Sequence, residues 1–427
     1  MDVRPGYKQT EVGTIPEEWR VSTVGQEFEV KFGKMLDAEK NVGTPKPYLG
    51  NKAVQWNRID YDDLPTVPMS QLDMERYRLE KDDLLVCEGG EVGRAAIWHA
   101  PIRECYYQKA LHRLRPLRGF DVRVMAALLR LWSDRGSLAS YVTQTSIAHL
   151  PREKFMQVPM PVPSPPEQRA IAEALSDVDA LLSRMDRLIA KKRDLKQATM
   201  QPLLTGQTRL PGFSGEWEER LVEDVILGHF CGPSPTCEER NIADDAEWGV
   251  LKTTAATKEV GWNWKAHKVL PRVFWNRPHL QVRRGDVIVT KAGPRRRVGV
   301  AAWVDFVPPR IIVSGKMIGL RPDPTKIVPL VLASAISARS AQLFLDQRTT
   351  GMAESQVNFE NAALLQTPIR FPRIAEQTAI GAVLSDMDAE VATLEQRRDK
   401  IHALKQAIMQ ELLTGRTRLV KSEAVHA

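Results

Sequence analysis

A stretch of 44 residues occurs twice in this chain of 427 residues. The first copy runs from Glu167 to Leu210 and the second from Glu376 to Leu419, at a constant offset of 209 residues without a gap. The copies are identical at 23 of the 44 positions. This period is far longer than that of a solenoid, whose repeats have about 20 to 50 residues. It predicts two large units, each ending in the same element.

The repeated element has the apolar pattern of a coiled-coil helix. Apolar residues recur at alternating intervals of four and three, which keeps one side of a helix against a partner. Roughly 35 residues of each copy are predicted to be helical, or about 50 Å of helix. The seam consists of Ile171, Leu175, Val178, Leu182, Met185 and Ile189 in the first copy, and of Ile380, Leu384, Met387, Val391, Leu394 and Ile401 in the second.

The two seams are interrupted at complementary positions. Lys192 of the first copy aligns with Ile401 of the second, and Ile189 aligns with Arg398. This pattern favours pairing of one copy with the other. The alternative is two ordinary amphipathic helices, each packed on its own domain.

Composition places few limits on function. Hydrophobic residues make up 43% of the chain and charged residues 26%, which is typical of a soluble globular protein. The formal net charge of +7 favours a polyanionic partner without establishing one. The four cysteines form no CxxC pair, so we expect reduced thiols and no zinc site. Neither a signal peptide nor a long apolar run is found, and a cytoplasmic location is expected.

A body of mixed strands and short helices precedes each copy of the repeated element. Both bodies contain an acidic residue, an apolar strand, a glycine-rich turn and a second strand, within residues 82–98 and 284–304. A helix is then predicted at Val122 to Trp132 in one body and at Val328 to Leu345 in the other, followed by a polar turn. The bodies share this order of elements but little sequence. This combination suits two domains of one architecture with different surfaces.

Three short motifs add a resemblance that covers essentially the whole chain. They are G-x-I-P-x-x-W at Gly13 to Trp19, a Pro-Pro-Glu-Gln helix start at Pro165 to Gln168, and Leu-Leu-Thr-Gly at Leu203 to Gly206 and again at Leu412 to Gly415. With the order body–helix–body–helix, they resemble the specificity (S) subunit of type I restriction–modification enzymes. The second helix start departs from the pattern, since Ile374-Ala375 replaces Pro-Pro.

The resemblance implies two target recognition domains, each reading one half of a bipartite, asymmetric DNA site. It further implies that the two helices pair antiparallel, set the gap between the half-sites and dock two modification (M) subunits. Those subunits bind S-adenosylmethionine and methylate adenine at N6, and restriction (R) subunits can join them in an ATP-driven nuclease. No cofactor is therefore expected on this chain; S-adenosylmethionine, ATP and Mg are expected on its partners.

Repeat and resemblance together predict an α+β fold with an internal pseudo-twofold repeat. Two mixed α/β target recognition domains are expected, separated by two long helices that pair as an antiparallel coiled coil. The predicted segments are 1–163 for the first domain, 164–210 for the central helical region, 211–372 for the second domain, 373–420 for the C-terminal helical region and 421–427 for a tail.

No sequence motif for catalysis is found. The chain has no GxxxxGK[ST] phosphate loop, no Asn/Asp-Pro-Pro-aromatic tetrapeptide of amino-methyltransferases and no histidine pair with metal-ligand spacing. We therefore expect a non-catalytic recognition subunit. Two alternatives remain: a coiled-coil adaptor for protein interactions without DNA readout, and a DNA methyltransferase or nuclease in its own right.

Cationic and amide side chains near the glycine-rich turns are candidates for contact with double-stranded DNA. Arginine and lysine suit phosphates and guanine, and amide or hydroxyl groups suit base edges. An alternative interpretation is that these residues are solvated charges and polar turns. Lys109 and Lys316 align in this comparison of the bodies. The candidates are Arg94, Lys109, Gln144, Thr145 and Ser146 in the first body, and Lys291, Arg295, Arg296, Arg297, Lys316, Ser355, Gln356 and Asn358 in the second.

Overall fold

A computed structural model of the chain describes residues 4–37, 39, 41–144, 148–257 and 261–420. The chain divides into two compact units: Met1–Asp186 with Gln396–Ala427 (unit 1), and Arg187–Glu395 (unit 2). Each unit contains one body and a segment of both repeated helices. The sequence-based division differs, because it places the bodies and the helices in separate segments. Those segment boundaries stay a prediction.

A four-stranded antiparallel sheet and a smaller three-stranded sheet form the body of unit 1. The strands are β1 (Tyr7–Thr10), β2 (Gly13–Pro16), β3 (Arg20–Thr23), β4 (Phe28–Phe32), β5 (Thr44–Leu49), β6 (Val54–Gln55), β7 (Arg58–Ile59), β8 (Thr66–Met69), β9 (Asp83–Cys87), β10 (Ala95–Trp98), β11 (Tyr106–Tyr107), β12 (Leu111–Pro116), β13 (Thr143–Gln144), β14 (Ala148–His149) and β15 (Pro159–Val162). The helices are α1 (Val24–Glu27), α2 (Gln71–Tyr77), α3 (Val122–Arg135), α4 (Arg152–Met156) and the long α5 (Pro165–Thr205).

The larger sheet of unit 1 has the order β10-β9-β12-β4, and the smaller has the order β11-β5-β8 with β11 parallel to β5. Strand β9 is buried on both sides because its alternate side chains enter different cores. Leu84 and Val86 join the core that includes α3, whereas Leu85 and Cys87 join the core shared with the smaller sheet.

The body of unit 2 repeats this topology. Its strands are β16 (Glu218–Leu221), β17 (Ile226–Phe230), β18 (Gly249–Leu251), β19 (His267–Val269), β20 (Val287–Thr290), β21 (Ala292–Gly293), β22 (Ala301–Trp303), β23 (Ile311–Ile312), β24 (Met317–Pro322), β25 (Thr350–Ala353), β26 (Gln356–Asn358) and β27 (Pro368–Phe371). The helices are α6 (Pro329–Ser337), α7 (Arg339–Asp346), α8 (Asn361–Leu365) and the long α9 (Ile374–Leu413). The sheets have the orders β22-β20-β24-β17 and β23-β18-β19, which match those of unit 1 strand for strand.

The single helix predicted from Val328 to Leu345 is wrong, because Ala338 is extended (ψ 148°) and separates α6 from α7. The Gln342 amide donates hydrogen bonds to the carbonyl oxygens of Ile336 at 2.8 Å and Gly299 at 2.9 Å. One side chain of α7 therefore ties the end of α6 to the glycine-rich turn. The corresponding helix of unit 1, α3, is unbroken.

Segments of α5 and α9 pair within each unit. The partners run antiparallel, since in unit 2 Lys192 contacts Glu390 at 2.6 Å and Lys196 contacts Asp388 at 2.5 Å. In unit 1 the repeat-related contact joins Lys405 to Asp179, also at 2.5 Å. The predicted antiparallel pairing of one copy with the other is confirmed. All of the predicted seam residues are buried or half-buried.

Repeat-equivalent residues of α5 and α9 form the helix–body core of each unit, and the two helices exchange roles between the units. The start of α5 meets the end of α9 in unit 1, and the start of α9 meets the end of α5 in unit 2. The core positions are Ile171, Leu175, Met409, Leu412 and Leu413 in unit 1, and Ile380, Leu384, Met200, Leu203 and Leu204 in unit 2.

The glutamate of each Glu-Gln pair fastens the start of its long helix. Glu167 is 1% exposed and accepts hydrogen bonds from the Trp19 indole at 2.7 Å and from the Arg418 guanidinium at 2.9 Å. Its counterpart Glu376, 2% exposed, accepts two bonds from Arg209, both at 2.5 Å. The arginine that follows one copy's helix thus neutralises the glutamate that opens the other.

The glutamine of each pair joins the long helix to the helix of the body. Gln168 Oε1 accepts a hydrogen bond at 2.9 Å from the backbone N–H of Asp121, which precedes α3. Gln377 Oε1 accepts one at 2.8 Å from the N–H of Val328, which precedes α6. An otherwise unpaired N–H at the start of each body helix is thereby satisfied.

The Leu-Leu-Thr-Gly motif ends both long helices. Gly206 (φ +74°) and Gly415 (φ +68°) adopt the left-handed conformation that glycine favours after a helix. A Cβ on Gly415 would lie 2.4 Å from Pro16 Cδ, and one on Gly206 would lie 3.0 Å from the Trp217 ring. Glycine thus lets the segment that contains Trp19 in unit 1, or Trp217 in unit 2, pack closely against the helix end.

Replacing Arg418 by alanine should destabilise unit 1 by about 3–5 kcal/mol, because Glu167 would stay buried without a cation. The matched control is Arg416→Ala. The Arg416 side chain is 60% exposed and lies 3.7 Å from Glu411, so its loss should cost less than about 1 kcal/mol. Urea unfolding combined with hydrogen exchange of unit 1 amides would measure both. Equal losses in the two variants would contradict the proposed role of the buried pair.

Two aspartates at equivalent strand starts have different ionic environments. Asp83 accepts two hydrogen bonds from Arg115, at 2.5 and 2.9 Å. Asp286 is equally buried, but Arg321 Nε lies 3.7 Å from its carboxylate. Burial raises the pKa of Asp286 from 3.8 to about 6, against the lowering effects of the hydrogen bond from the Arg283 N–H and of the Arg321 charge.

The stability of unit 2 should therefore fall as the pH rises. The contribution of protonated Asp286 is fully present below about pH 3.8 and is lost as the pH rises through about 6, at a cost of about 3 kcal/mol. Asp286→Asn should remove this dependence and stabilise unit 2 at pH 8. Asp83→Asn, the control, should destabilise unit 1 because it weakens a close ion pair. Thermal unfolding of both variants across pH would test this, and changes of the same sign at pH 8 would contradict it.

Candidate nucleic-acid interface

A glycine-rich turn follows the central strand of each larger sheet. In unit 1 it joins β9 to β10, and in unit 2 it lies between β20 and β22. Val86 pairs with Ala95 and Val289 pairs with Ala301, so Cys87 and Thr290 are equivalent ends of the strands. Residues of the two turns can therefore be compared position by position from these ends.

A hairpin lies beside each turn. In unit 1 the hairpin β13–β14 meets the turn through a bridge between His149 and Gly89. In unit 2, β26 of the hairpin β25–β26 pairs with β21 of the turn, and Asn358 stands opposite Ala292. The structure thus brings together, in each unit, two polar segments that are distant in the sequence.

Exposed amide, hydroxyl and cationic groups converge on this surface in unit 2. The hairpin exposes Ser355, Gln356 and Asn358, and the turns beside it expose Arg296 and Lys316. Neither cation makes an ion pair within the part of the chain that the structure describes. The Asn358 amide oxygen accepts a hydrogen bond from the Thr350 hydroxyl at 2.8 Å, whereas the cations are exposed and could contact a ligand, as the interpretation of the sequence requires.

The other cations of this turn are engaged within the protein. The Arg297 guanidinium donates hydrogen bonds to the carbonyl oxygens of Thr253 at 2.6 Å and Ala256 at 2.7 Å. Arg295 bonds to Glu354 at 3.0 Å and also pairs with Asp346. Both arginines therefore stabilise the turn. Lys291 Nζ donates to the Asn361 side chain at 3.1 Å.

Arg94 of unit 1 has the same local role as Arg297. It is 15% exposed, and its guanidinium donates to the carbonyl oxygen of Asn51 at 3.0 Å, in a 3-10 turn equivalent to Thr253–Ala255. The two arginines tie the smaller sheet of each body to the central turn. The sequence comparison correctly matched the turns but did not show which arginine of the three corresponds to Arg94.

The two candidate lysines are one residue out of alignment. Leu111 pairs with Cys87 and Met317 pairs with Thr290, so Lys316 corresponds to Ala110 and not to Lys109. Both lysines are nevertheless exposed in the same turn. Their predicted equivalence is therefore wrong by one position, whereas their proposed contact with phosphate stays a prediction.

Sequence reasoning missed Glu88, which occupies in unit 1 the position of Lys291. In both units the backbone carbonyl at this position accepts a bond from the residue after the hairpin, Leu150 or Phe359. Burial raises the pKa of the Glu88 carboxyl, and the nearby His149 opposes this shift. Equivalent surfaces of the two units thus differ in charge. Strand register identifies this pair, and it was not visible before the strands were aligned.

Part of the unit 1 surface lies outside the described residues. Thr145 and Ser146 fall in the gap at 145–147, and only the backbone of Gln144 is described, in β13. Their predicted contacts with base edges therefore stay predictions. In the ranges that are described, no group of three or more His, Cys, Asp or Glu residues could hold a metal ion. Over the same ranges, no helix combines the length and apolar character needed to cross a membrane.

Comparison with known proteins matches part of the chain to a family model. Residues 16–191 match the family model described as Type I restriction modification DNA specificity domain. The chain is 22% identical to a putative type I restriction enzyme MjaX specificity subunit of Methanocaldococcus jannaschii, over 97% of both chains. It is 31% identical to the type I restriction enzyme EcoEI specificity subunit of Escherichia coli, in an alignment covering 40% of this chain and 28% of that relative.

Two solved structures share the fold. One is the S subunit of a type I restriction–modification system from M. genitalium, with 14% identity, a TM-score of 0.50 and coverage of 97% of this chain and 98% of that one. The other is a chain from a type I R-M system solved in work on complex assembly and conformational transition, with 17% identity, a TM-score of 0.57 and coverage of 94% and 99%.

The repeated bodies and exchanged helices define a two-domain fold of the kind that these structures represent. More particularly, the matched family model and the full-length relatives describe type I restriction–modification specificity subunits. The resemblance predicted from the sequence motifs and the predicted α+β fold are both confirmed.

Substitution of two neighbouring arginines in the unit 2 turn should have different effects, one on DNA binding and the other on protein stability. Arg296→Gln should leave the melting temperature unchanged, weaken DNA binding and reduce the slope of log affinity against log salt by about 1, because an exposed cation is lost. Arg297→Gln should destabilise unit 2 by about 1.5–3 kcal/mol, since it removes charge-assisted hydrogen bonds to two carbonyls. Salt titrations of binding and thermal unfolding would measure these effects. A loss of stability in Arg296→Gln would contradict the assignment.

Proposed function

We propose that this chain gives a type I restriction–modification complex its DNA sequence specificity, with each body reading one half of a bipartite site. The chain itself is the recognition component, and catalysis belongs to its partners. The proposal rests on family membership and on the paired surfaces of turn and hairpin.

Equivalent surfaces with different side chains support this function most directly. The backbone contacts between the start of the turn and the hairpin are matched in the two units, yet one position carries Glu88 in unit 1 and Lys291 in unit 2. Two copies of one recognition surface with the same chemistry would read the same bases. Different chemistry at matched positions suits two different half-sites.

Recognition would combine two kinds of contact. Exposed cations such as Arg296 and Lys316 would bind phosphates and set the position of the unit on the duplex. The amide group of Gln356 has the paired donor and acceptor that match adenine N6 and N7 in the major groove. Each correct pair of this type discriminates against the wrong base by about 1–3 kcal/mol.

The paired helices are the proposed docking surface for two M subunits. Large apolar side chains remain exposed on them, namely Leu181 and Leu404 in unit 1 and Leu188 and Leu195 in unit 2. Exposed apolar groups of this kind mark protein interaction sites when they are clustered. S-adenosylmethionine, ATP and Mg would be bound by partner subunits, R subunits included where present, and the complex would act on DNA in the cytoplasm.

Exchange of one body should change one half-site only. Residues 231–367 begin directly after β17 and end directly before β27, so replacing them with the matching segment of a relative retains both strands and the helix core. The altered subunit should direct methylation to a site with one new half and one old half. Modified-base sequencing of host DNA would show this, and a change in both halves would contradict reading by separate bodies.

The same sequencing, with and without the native gene, tests the function itself. Loss of N6-methyladenine at one gapped, asymmetric motif is the expected result. An unchanged methylome in a cell with an active methyltransferase partner would contradict the proposal and favour an adaptor role.

A further inference from the structure

Unit 2 contains a cleft of about 480 Å³ beside the candidate DNA surface. One wall is the loop at residues 233–239, and the other walls come from β18, β19 and the turn that precedes β24. Backbone contacts hold the loop closely, since the N–H of Gly315 donates to the carbonyl oxygen of Pro233 at 2.8 Å. A Cβ on Gly315 would lie 2.4 Å from Ser234 Oγ. The cleft is therefore formed by the folded backbone before any ligand binds.

Positive charge dominates the cleft. Lys252, Lys268 and Lys316 line it, together with a single carboxylate, Glu239. Lys252 Nζ lies 3.3 Å from Glu239, and Lys268 also pairs with it. Both lysines lower the pKa of Glu239, so the carboxylate stays charged. Because three ammonium groups face one carboxylate, the cleft has a net charge of about +2.

Hydroxyl groups complete the lining. Ser234, Thr254 and Ser314 line the cleft, and their side chains form no hydrogen bond among the residues that the structure describes. Hydroxyl donors between ammonium groups suit a ligand with several anionic oxygens. A phosphate group has this chemistry, and lysine binds it as a point charge without a fixed orientation.

The position of the cleft identifies the source of the phosphate. Lys316 belongs both to the cleft and to the candidate DNA surface, because its carbonyl oxygen accepts bonds from Lys291 at 2.9 Å and from Ala292 at 3.2 Å in the glycine-rich turn. A duplex lying on that turn and hairpin would bring its backbone past the cleft mouth. A phosphodiester of the bound strand is therefore the expected occupant.

Unit 1 has no equivalent set of lysines. Tyr106 and Ile312 each lie five residues before the matched Leu111 and Met317, and their partners in the smaller sheets are Tyr48 and Val250. Gly50 therefore corresponds to Lys252. Lys316 corresponds to Ala110, as the strand registers show. The cationic cleft is thus a property of unit 2 that the shared fold alone does not require.

We propose that the cleft of Lys252, Lys268 and Lys316 binds a DNA phosphodiester outside the bases that unit 2 reads. This inference rests on the proposed function. It predicts that the contact raises affinity for every sequence equally and leaves the choice of bases unchanged.

Three substitutions in the intact complex with its methyltransferase subunits test the cleft. Lys268→Gln should weaken binding of duplex DNA about 3- to 10-fold at 0.1 M salt, equally for target and non-target sequences, and lower the salt slope by about 1. Glu239→Gln should strengthen binding, because it removes the carboxylate that competes for the lysines among the described residues of the cleft. Lys326→Gln, an equal change of charge on an exposed lysine outside the cleft, should alter neither affinity nor slope.

A second measurement separates a DNA phosphate from a free anion. The melting temperature of the wild type and of Lys268→Gln is measured in inorganic phosphate and in chloride at equal ionic strength. Unchanged DNA binding by Lys268→Gln, with loss of a phosphate-dependent stabilisation, would overturn the diester assignment in favour of a free-anion site. A loss of affinity confined to the target sequence would also overturn it, in favour of base reading. A wild-type complex without salt-dependent DNA binding would instead overturn the proposed function, and the cleft assignment with it.

Discussion

A carboxylate with 1% of its surface exposed needs a cation, and Glu167 obtains one from Arg418, 251 residues away in the chain. The same carboxylate accepts a bond from Trp19, so three distant segments meet in unit 1. In unit 2 the equivalent pair is Arg209 with Glu376. Each long helix can therefore begin in its native environment only where the end of the other copy is present. The body of each unit depends in turn on that helix start, through the glutamine that follows the glutamate in both copies.

This exchange explains why the copies of the helix are similar while the bodies are not. Core and ion-pair positions of one copy contact the other copy, and the repeat-related positions make the reverse contacts in the other unit. A change at Leu175, for example, affects packing against Met409 and Leu412, whereas the matched change at Leu384 affects Met200 and its neighbours. Close packing penalises a mismatch of volume on either side. The bodies are constrained by their own cores and by the core that they share with the helices, neither of which includes the exposed turns and hairpins.

Much of the fold could be predicted from the sequence because its signals are local. The seam follows from apolar periodicity, and the strand–turn–strand elements follow from short apolar runs around glycines. The roles of the motifs could not be predicted, because the partner of Trp19 is 148 residues away and that of Arg418 is 251 residues away. The break at Ala338 was missed for a similar reason. It is accompanied by a bond from Gln342 to Gly299, which no helix periodicity reveals.

The candidate site was less predictable than the fold, because neighbouring side chains in a tight turn point in different directions. Arg295, Arg296 and Arg297 form one cluster in the sequence, but in the structure they contact carboxylates, solvent and backbone carbonyls respectively. A basic run alone therefore overstates the number of cations available to DNA.

The charged groups of the two matched surfaces differ in what they would contribute: general affinity for DNA in unit 2, and discrimination between bases in unit 1. Phosphate contacts attract any duplex, and their strength depends on salt and not on sequence. Unit 2, with Arg296, Lys316 and the lysine cleft, has the chemistry for this general attraction. Unit 1 carries Glu88 at the position of Lys291, and a carboxylate there repels phosphates but can accept a hydrogen bond from the cytosine N4 amino group. If both units bind DNA as proposed, unit 2 would supply more of the binding affinity. Unit 1 would bind most strongly where a base presents a hydrogen-bond donor to Glu88.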